Sequence, residues 1–159
     1  MSGPELHPDV APLSFLLGSW IGEGAGQYAT IDDFSYGEEV RISHVGKPFL
    51  AYTQRTWSLD DGRPLHAESG FWRLTGRTRV ELVIAHPTGV VEVEEGELSG
   101  TSIALATTAT AKTGSAKDVA QLTREVRVLH DELLYHLQMA AVGQPLQPHL
   151  TARLTRTGS

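Results

Sequence analysis

Short segments of alternating or apolar character recur along the chain, at the spacing of about 8–12 residues that is typical of an all-β barrel or sandwich. Apolar and acidic residues alternate from Val91 to Glu94, as in half-buried strands. No amphipathic helical pattern separates the segments, which disfavours a parallel α/β sheet. We therefore predict an all-β fold, a ten-stranded antiparallel up-and-down β-barrel. Its strands are expected near residues 16–31, 36–44, 49–59, 65–74, 79–85, 90–98, 102–111, 119–129, 132–142 and 148–155.

A short helix is expected to precede the first strand. Leu13, Leu16 and Leu17 have helical spacing after a Pro/Asp start, and Gly18 is a natural stop. Most connections between the predicted strands contain the turn-forming residues Gly, Pro, Asp or Ser. The stretch from Thr107 to Ala120 differs, because it is rich in small residues and has Lys as its only basic residue type. We expect it to form a mobile loop at the barrel mouth.

Composition limits the classes of protein that fit. A chain of 159 residues predicts one domain over residues 1–159, with its core at about 9–156. The formal net charge of −6 argues against nucleic-acid or anionic-membrane partners, which require basic surfaces. The absence of Cys excludes disulfides and thiolate haem ligation. Without a signal-like N-terminus or an apolar run of about 20 residues, a cytoplasmic location is the simplest expectation.

Four segments of the chain, taken in order, carry a resemblance to a known family. Gly18-x-Trp20-x-Gly22-x-Gly24 places a large aromatic residue among glycines, which suits a strongly bent strand that opens a barrel. With the Tyr28-x-Thr30 segment that follows, it resembles the signature of the nitrobindins, small barrels that are related in shape to fatty-acid-binding proteins and hold haem b. Three further segments resemble the same family, and with the motif they span nearly the whole chain. They are residues 44–54, 82–89 and 137–150.

Seven histidines are the candidate ligands for a metal or haem iron. No pair has the helical spacing of a zinc protease or the short spacing of a strand metal clip, so we predict no preformed zinc site. His149 follows Pro148 at the start of the last strand, where strand parity alone allows it to point outward. The family's axial haem ligand falls in this segment, so the resemblance implies that His149 binds the haem iron.

The resemblance also implies other residues around a haem. Thr30 matches a hydroxyl at the haem periphery, although a Thr at a strand end is often only a turn former. Lys117 matches a basic loop position that would meet a haem propionate, and a solvated lysine is the alternative. His44 and His66 are expected to be strand or turn histidines at the edge of the cavity.

Other polar residues on the predicted strands receive plainer interpretations. Glu38 and Glu39 are adjacent, so they point to opposite faces and cannot share a substrate. No phosphate-binding glycine loop and no nucleophile elbow is present. Five strand residues could face a cavity, and we expect them to be core: Tyr52, Gln54, Tyr135, Gln138 and Met139.

The resemblance implies a function. A ferric haem b protein of this kind binds nitric oxide and isomerises peroxynitrite to nitrate, with the chemistry at the iron and no obligatory acid or base from the protein. Related barrels pair, so a homodimer is expected. The alternative is a lipocalin-like carrier of an apolar ligand without catalysis, in which Arg41, Arg55 or Arg73 meets a carboxylate inside the barrel.

Overall fold

Ten strands form a closed antiparallel barrel in a computed structural model that describes residues 3–158, apart from the side chains of residues 119 and 120. A 3-10 helix, Pro8–Leu16, precedes the first strand. The strands are β1 (Gly18–Tyr28), β2 (Ile31–Ser43), β3 (Leu50–Ser58), β4 (Pro64–Thr75), β5 (Arg79–Ala85), β6 (Val90–Ser99), β7 (Ser102–Lys112), β8 (Val119–Leu129), β9 (Glu132–Ala141) and β10 (Gln147–Thr157).

The predicted topology is confirmed. Each strand pairs with its neighbour in the chain, and β1 also pairs with β10 to close the barrel. The main difference in boundaries concerns the first predicted strand, which turns at Ala29 and Thr30, so that β2 already begins at Ile31. Among the described residues, no helix is long and apolar enough to span a membrane.

The prediction of a mobile loop from Thr107 to Ala120 is wrong for residues 107–112, which belong to a strand. Strand β7 continues to Lys112, which pairs with Val90 of β6, and only residues 113–118 connect β7 to β8. The backbone of this small-residue segment finds its partners on β6, so it is ordered as strand in spite of its composition. The Thr107 hydroxyl also bonds to the carbonyl and the amide of Leu122, across the seam to β8.

The helix and Trp20 close one end of the barrel. Val10, Leu13 and Leu16 of the helix are fully buried, and so is Trp20. The Trp20 indole N–H donates to the Leu16 carbonyl at 2.9 Å, and the Arg156 guanidinium lies 4.2 Å from the centre of its ring. This end of the barrel is therefore filled by side chains, which leaves the opposite end for a ligand.

The glycines of the motif serve close packing around this strand. A side chain at Gly22 would collide with the backbone of Arg153 on β10, and one at Gly24 would collide with the Tyr36 ring. Gly18 begins β1 with a φ of +129°, a backbone conformation that L residues with side chains rarely adopt. The motif is thus a packing device of the barrel wall.

Candidate functional site

A cavity of about 760 Å³ opens at the end of the barrel opposite the helix. Its volume lies within the roughly 300–1,000 Å³ range of small-molecule and cofactor sites. Its walls come from the strand ends and turns that meet there, namely β1–β2, β3–β4, β5–β6 and β9–β10. One part of the lining is apolar and includes Phe34, Val90, Leu122, Leu137, Met139 and Leu150.

His149 lines this cavity because of an irregularity in β10. The pairing of β10 with β9 shifts by one residue between Pro148 and Leu150, so both His149 and Leu150 line the cavity although they are neighbours in sequence. A bulge of this kind re-aims a side chain that regular alternation would direct outward. The parity argument that allowed His149 to point outward fails for this reason.

Two contacts fix the His149 ring. Its Nδ1 lies 2.9 Å from the carbonyl oxygen of Gln27, which can only accept, so Nδ1 carries the proton. The Tyr28 ring stands edge-on to the imidazole at 5.5 Å, and the Tyr28 hydroxyl is held by the backbone of Ala141. The Nε2 lone pair is therefore free for a metal, and within the described part of the chain it has no hydrogen-bond partner.

This donor set fits a haem. One neutral imidazole nitrogen is available, its second nitrogen is oriented by a carbonyl, and apolar side chains line the same cavity. The apolar lining offers the kind of surface on which a porphyrin packs.

The other residues expected around a haem lie at the open end but not in the cavity wall. Thr30 is exposed in the β1–β2 turn, next to Ile31, which lines the cavity. Lys117 is exposed in the connection between β7 and β8. Arg63, which was not predicted as a site residue, also lines the cavity from the β3–β4 turn, where its guanidinium donates to the Asp61 carboxylate. The sequence signal that could have indicated Arg63 is its position as a basic residue in a turn at the open end of the barrel.

On strand β6 glutamates face the interior of the barrel and a valine faces outward, the reverse of the usual burial of apolar residues. Glu92 and Glu94 are buried inside the barrel, at 2% and 0% exposure, whereas Val91 faces outward and is 48% exposed. Arg124 of β8 compensates part of this charge, since its guanidinium donates to both oxygens of Glu94 at 3.1 and 3.2 Å. Burial alone would lower the pKa of Arg124, but Glu94 and Glu68 outweigh it and raise that pKa. Burial raises the pKa of Glu94, and the Arg124 charge opposes that increase.

A second buried network surrounds Glu38. Its carboxylate accepts from the Tyr135 hydroxyl at 2.5 Å and from the Gln54 amide at 2.8 Å, and Tyr36 and Tyr135 share a hydrogen bond. Burial raises the pKa of Glu38 to about 7, although these hydrogen bonds oppose the increase. Glu39 lies on the other face of β2 and pairs with Arg55, as the strand geometry requires.

A third polar group joins β4 to the β5–β6 turn. His66 Nε2 lies 3.4 Å from a Glu68 oxygen and 3.1 Å from His86 Nδ1, which is itself 3.9 Å from that oxygen. His86 Nε2 lies 2.7 Å from Glu92. Burial alone would raise the pKa of Glu68, but hydrogen bonding from His66 and the charges of Arg124 and His86 outweigh it and lower the pKa to about 2.

These histidines qualify the prediction that no preformed zinc site exists. His66, Glu68 and His86 have ligand atoms within 4.8 Å of one another, an arrangement compatible with a metal ion. His66 and Glu68 are two residues apart, which places both side chains on one face of a strand, and this signal is absent from the spacing of the histidines alone. His44 lies outside the strands and bonds to the Gly46 amide.

The three arginines that a carrier would use to bind a ligand carboxylate do not face the interior of the barrel. Arg41, Arg55 and Arg73 point outward, with side chains 67%, 64% and 57% exposed, and they pair with surface glutamates. Among the described residues Arg124 is the buried arginine, and its guanidinium is already paired with the Glu94 carboxylate. Of the five strand residues expected in the core, Gln138 is exposed and Met139 is half-buried at the cavity, whereas Tyr52, Gln54 and Tyr135 are buried.

Comparison with known proteins places the chain in a family. The model of the THAP4-like, heme-binding beta-barrel domain matches residues 9–156. A peroxynitrite isomerase 2 from Mycobacterium ulcerans is 52% identical over 156 residues, which cover 96% of this chain and 97% of that protein. A protein from Arabidopsis thaliana named peroxynitrite isomerase Rv2717c is 47% identical over 155 residues, 96% of this chain and 92% of its own length.

A solved structure agrees with these sequence matches. The crystal structure of Rv2717c from M. tuberculosis superposes with a TM-score of 0.91 at 49% identity, and the match covers 97% of this chain and 100% of that one. The family model covers most of the chain, and the resemblance carried by the Gly-Trp-Gly motif is confirmed. This chain therefore belongs to the family of THAP4-like, heme-binding β-barrel domains, the nitrobindins.

Proposed function

We propose that this protein binds one ferric haem b per chain through His149 and isomerises peroxynitrite to nitrate. The family description supports the cofactor, and the names of relatives at about half identity over nearly the full length support the reaction. The observation that carries the residue assignment is the orientation of His149, whose protonated Nδ1 is held by Gln27 while its Nε2 is free at an apolar cavity.

The chain's own residues prepare the axial bond. The Gln27 carbonyl accepts from Nδ1, which fixes the tautomer and increases the basicity of Nε2. The Tyr28 ring limits rotation of the imidazole. Phe34, Leu137 and Leu150 keep this part of the cavity apolar and exclude water from it. When bound, a ferric haem supplies a Lewis-acidic, redox-active centre for peroxynitrite.

Polar groups at the open end are proposed to meet the two propionates. Arg63 lines the cavity and offers a planar guanidinium that can bind a carboxylate with two hydrogen bonds. Thr30 and Lys117 belong to other turns at the same barrel end, and they remain candidates for the haem periphery from the family resemblance. From the same resemblance we also predict that the protein binds nitric oxide and forms a homodimer, and from the sequence that it is located in the cytoplasm.

Haemin titration tests the axial ligand. We expect the wild-type chain to bind one equivalent with a sharp Soret band, and His149→Ala to stay folded and lose stoichiometric binding, because His149 is a rim residue outside the hydrophobic core. His136→Ala is the matched control, since His136 is exposed on the neighbouring strand β9. An unchanged Soret position and affinity in His149→Ala would contradict the assignment.

Stopped-flow decay of peroxynitrite tests the reaction. We expect haem-loaded protein to accelerate the decay and to give nitrate, cyanide to slow this reaction, and removal of haem to abolish it. Equal decay rates in all three samples would favour the carrier alternative. A rate loss in His66→Ala at full haem loading, without a loss in His44→Ala, would show that a cavity residue takes part in the reaction.

A further inference from the structure

His66, Glu68 and His86 place three ligand atoms at the separations that a small metal ion requires. The three atoms are separated by 3.1, 3.4 and 3.9 Å. Metal–nitrogen bonds of about 2.0–2.1 Å at a tetrahedral angle would separate neighbouring ligand atoms by about 3.3 Å. An ion could therefore enter this group with movements of a few tenths of an ångström. Two imidazoles and one carboxylate suit Zn²⁺, Fe²⁺ or Co²⁺ better than Mg²⁺ or Ca²⁺.

Glu92 orients one of the two histidines. Its carboxylate lies 2.7 Å from His86 Nε2, so that nitrogen donates and the lone pair of Nδ1 faces His66 and Glu68. Ligating histidines in metal sites are held in this way by a carboxylate on the other ring nitrogen. Glu92 is 2% exposed and lines the cavity, and its second oxygen has no hydrogen-bond partner within the described residues.

Buried carboxylates outnumber buried arginines around this group within the described residues. Glu68, Glu92 and Glu94 are all buried inside the barrel. In the part of the chain that the structure describes, Arg124 is the buried arginine; it donates to both oxygens of Glu94, and its guanidinium lies 3.9 Å from the nearer oxygen of Glu68. A divalent cation beside Glu68 would balance the remaining carboxylates, since buried charges are stable only when they are paired or bound to metals.

The group has access to solvent and lies across the cavity from His149. His66 and His86 line the same cavity, and the His66 side chain is 34% exposed. His86 directly follows β5, which is five strands from β10 in either direction around the barrel. The two histidine sites therefore occupy opposite walls, and they do not share a ligand atom.

We propose that the barrel holds a second, non-haem metal site, in which His66, Glu68 and His86 bind one divalent transition-metal ion of the Zn²⁺ or Fe²⁺ type. Three protein ligands leave at least one position open, as in catalytic metal sites, and all three ligand residues line the cavity. The ion would bring a Lewis acid to the wall opposite His149, where a water molecule or a small anion could occupy its open position. The proposal stands independently of haem binding.

Calorimetric titration of Zn²⁺ into the full-length, haem-free chain tests the site, with Co²⁺ absorption as a second readout of coordination. We expect one ion per chain in the wild type. His66→Ala and His86→Gln should each weaken binding by more than about 100-fold, since losing a direct ligand must exceed the effect of about 10- to 100-fold for an outer partner. His136→Ala is the matched control, because His136 is an exposed histidine outside the group. Circular dichroism establishes that each variant is folded.

A double comparison separates this site from the haem site. His149→Ala should lose haem and bind Zn²⁺ as the wild type does, whereas His66→Ala should lose Zn²⁺ and still bind haem. The proposal is overturned if the wild type binds no stoichiometric Zn²⁺. It is overturned equally if Zn²⁺ binding survives in both His66→Ala and His86→Gln, or if it depends on His149.

Discussion

Replacing Arg124 by Met should destabilise the barrel strongly, because it strands a carboxylate in the interior. Arg124 is 7% exposed, and its partner Glu94 is fully buried. Met fills most of the space of the arginine stem but offers no donor to the two Glu94 oxygens that now accept from the guanidinium. The carboxyl group of Glu94 would then become protonated in the folded state, because an unpaired buried charge costs more than the proton.

The free-energy cost of protonating Glu94 in the variant depends on the pH. A carboxyl group with an ordinary pKa of 4.5 requires about 1.4 kcal/mol per pH unit to stay protonated, which amounts to about 4 kcal/mol at pH 7.5. This figure agrees with the roughly 3–5 kcal/mol measured when one partner of a buried ion pair is removed. The folded-state pKa of Glu94 is already raised by burial in the wild type and rises further in the variant, where Arg124 no longer opposes the increase, so about 4 kcal/mol is the upper end of the loss at pH 7.5. The cost of keeping Glu94 protonated is absent below pH 4.5 and grows as the pH rises. The destabilisation should therefore shrink to about 1 kcal/mol near pH 5.

Urea unfolding at pH 5 and 7.5 measures both quantities. Arg55→Met is the control, since Arg55 forms an exposed ion pair with Glu39 and should cost less than about 1 kcal/mol. The double variant Glu94→Leu/Arg124→Met removes both members of the pair and should recover the part of the loss that comes from the stranded Glu94. Equal losses in Arg124→Met and Arg55→Met, or a loss that does not change with pH, would refute the reasoning.

Three further predictions concern the closed end, the Glu38 network and the cavity mouth. Trp20→Ala should lower the unfolding free energy by roughly 3–5 kcal/mol and Trp20→Phe by about 1–2 kcal/mol, since the phenyl ring keeps most of the packing; a loss under about 1 kcal/mol for Trp20→Ala would exclude it from the core. The pKa of Glu38 is raised to about 7, so its protonation stabilises the fold fully below pH 4.5, and this contribution is lost as the pH rises through 7. Glu38→Gln does not titrate, so its unfolding free energy relative to wild type should increase by about 3 kcal/mol between pH 4.5 and 8. Parallel stability profiles of the two proteins would contradict this. Arg63→Ala should weaken haemin binding more than Lys117→Ala does, because only Arg63 of the two lines the cavity; the reverse order would favour Lys117 as the propionate partner.

The sequence by itself determined the architecture. Strand number and order followed from segments of strand length separated by turn residues, and local chain connectivity then made neighbouring strands pair. The Gly-Trp-Gly motif and three further segments in order together identified the family, and the structure shows why the glycines are needed: a side chain at Gly22 or Gly24 would meet a neighbouring backbone or a buried ring. The short helix also followed, since its apolar residues have a face to bury against the barrel end.

Only the tertiary structure decided what the interior contains. On β6 the alternation of Val and Glu shows that the two residue types face opposite sides of the strand, but it does not show that Glu92 and Glu94 face the interior. Arg124, thirty residues after Glu94, makes burial of Glu94 possible because its guanidinium pairs with that carboxylate. The bulge beside Pro148 reverses the side of the barrel to which His149 points. His66 and His86 meet because β4 and β5 pair in one register, and a shift of one residue would separate them. Closing the barrel brings together residues that are distant in sequence, and their charges and hydrogen bonds then select the faces, so the chemistry of the cavity could not be obtained from local pattern.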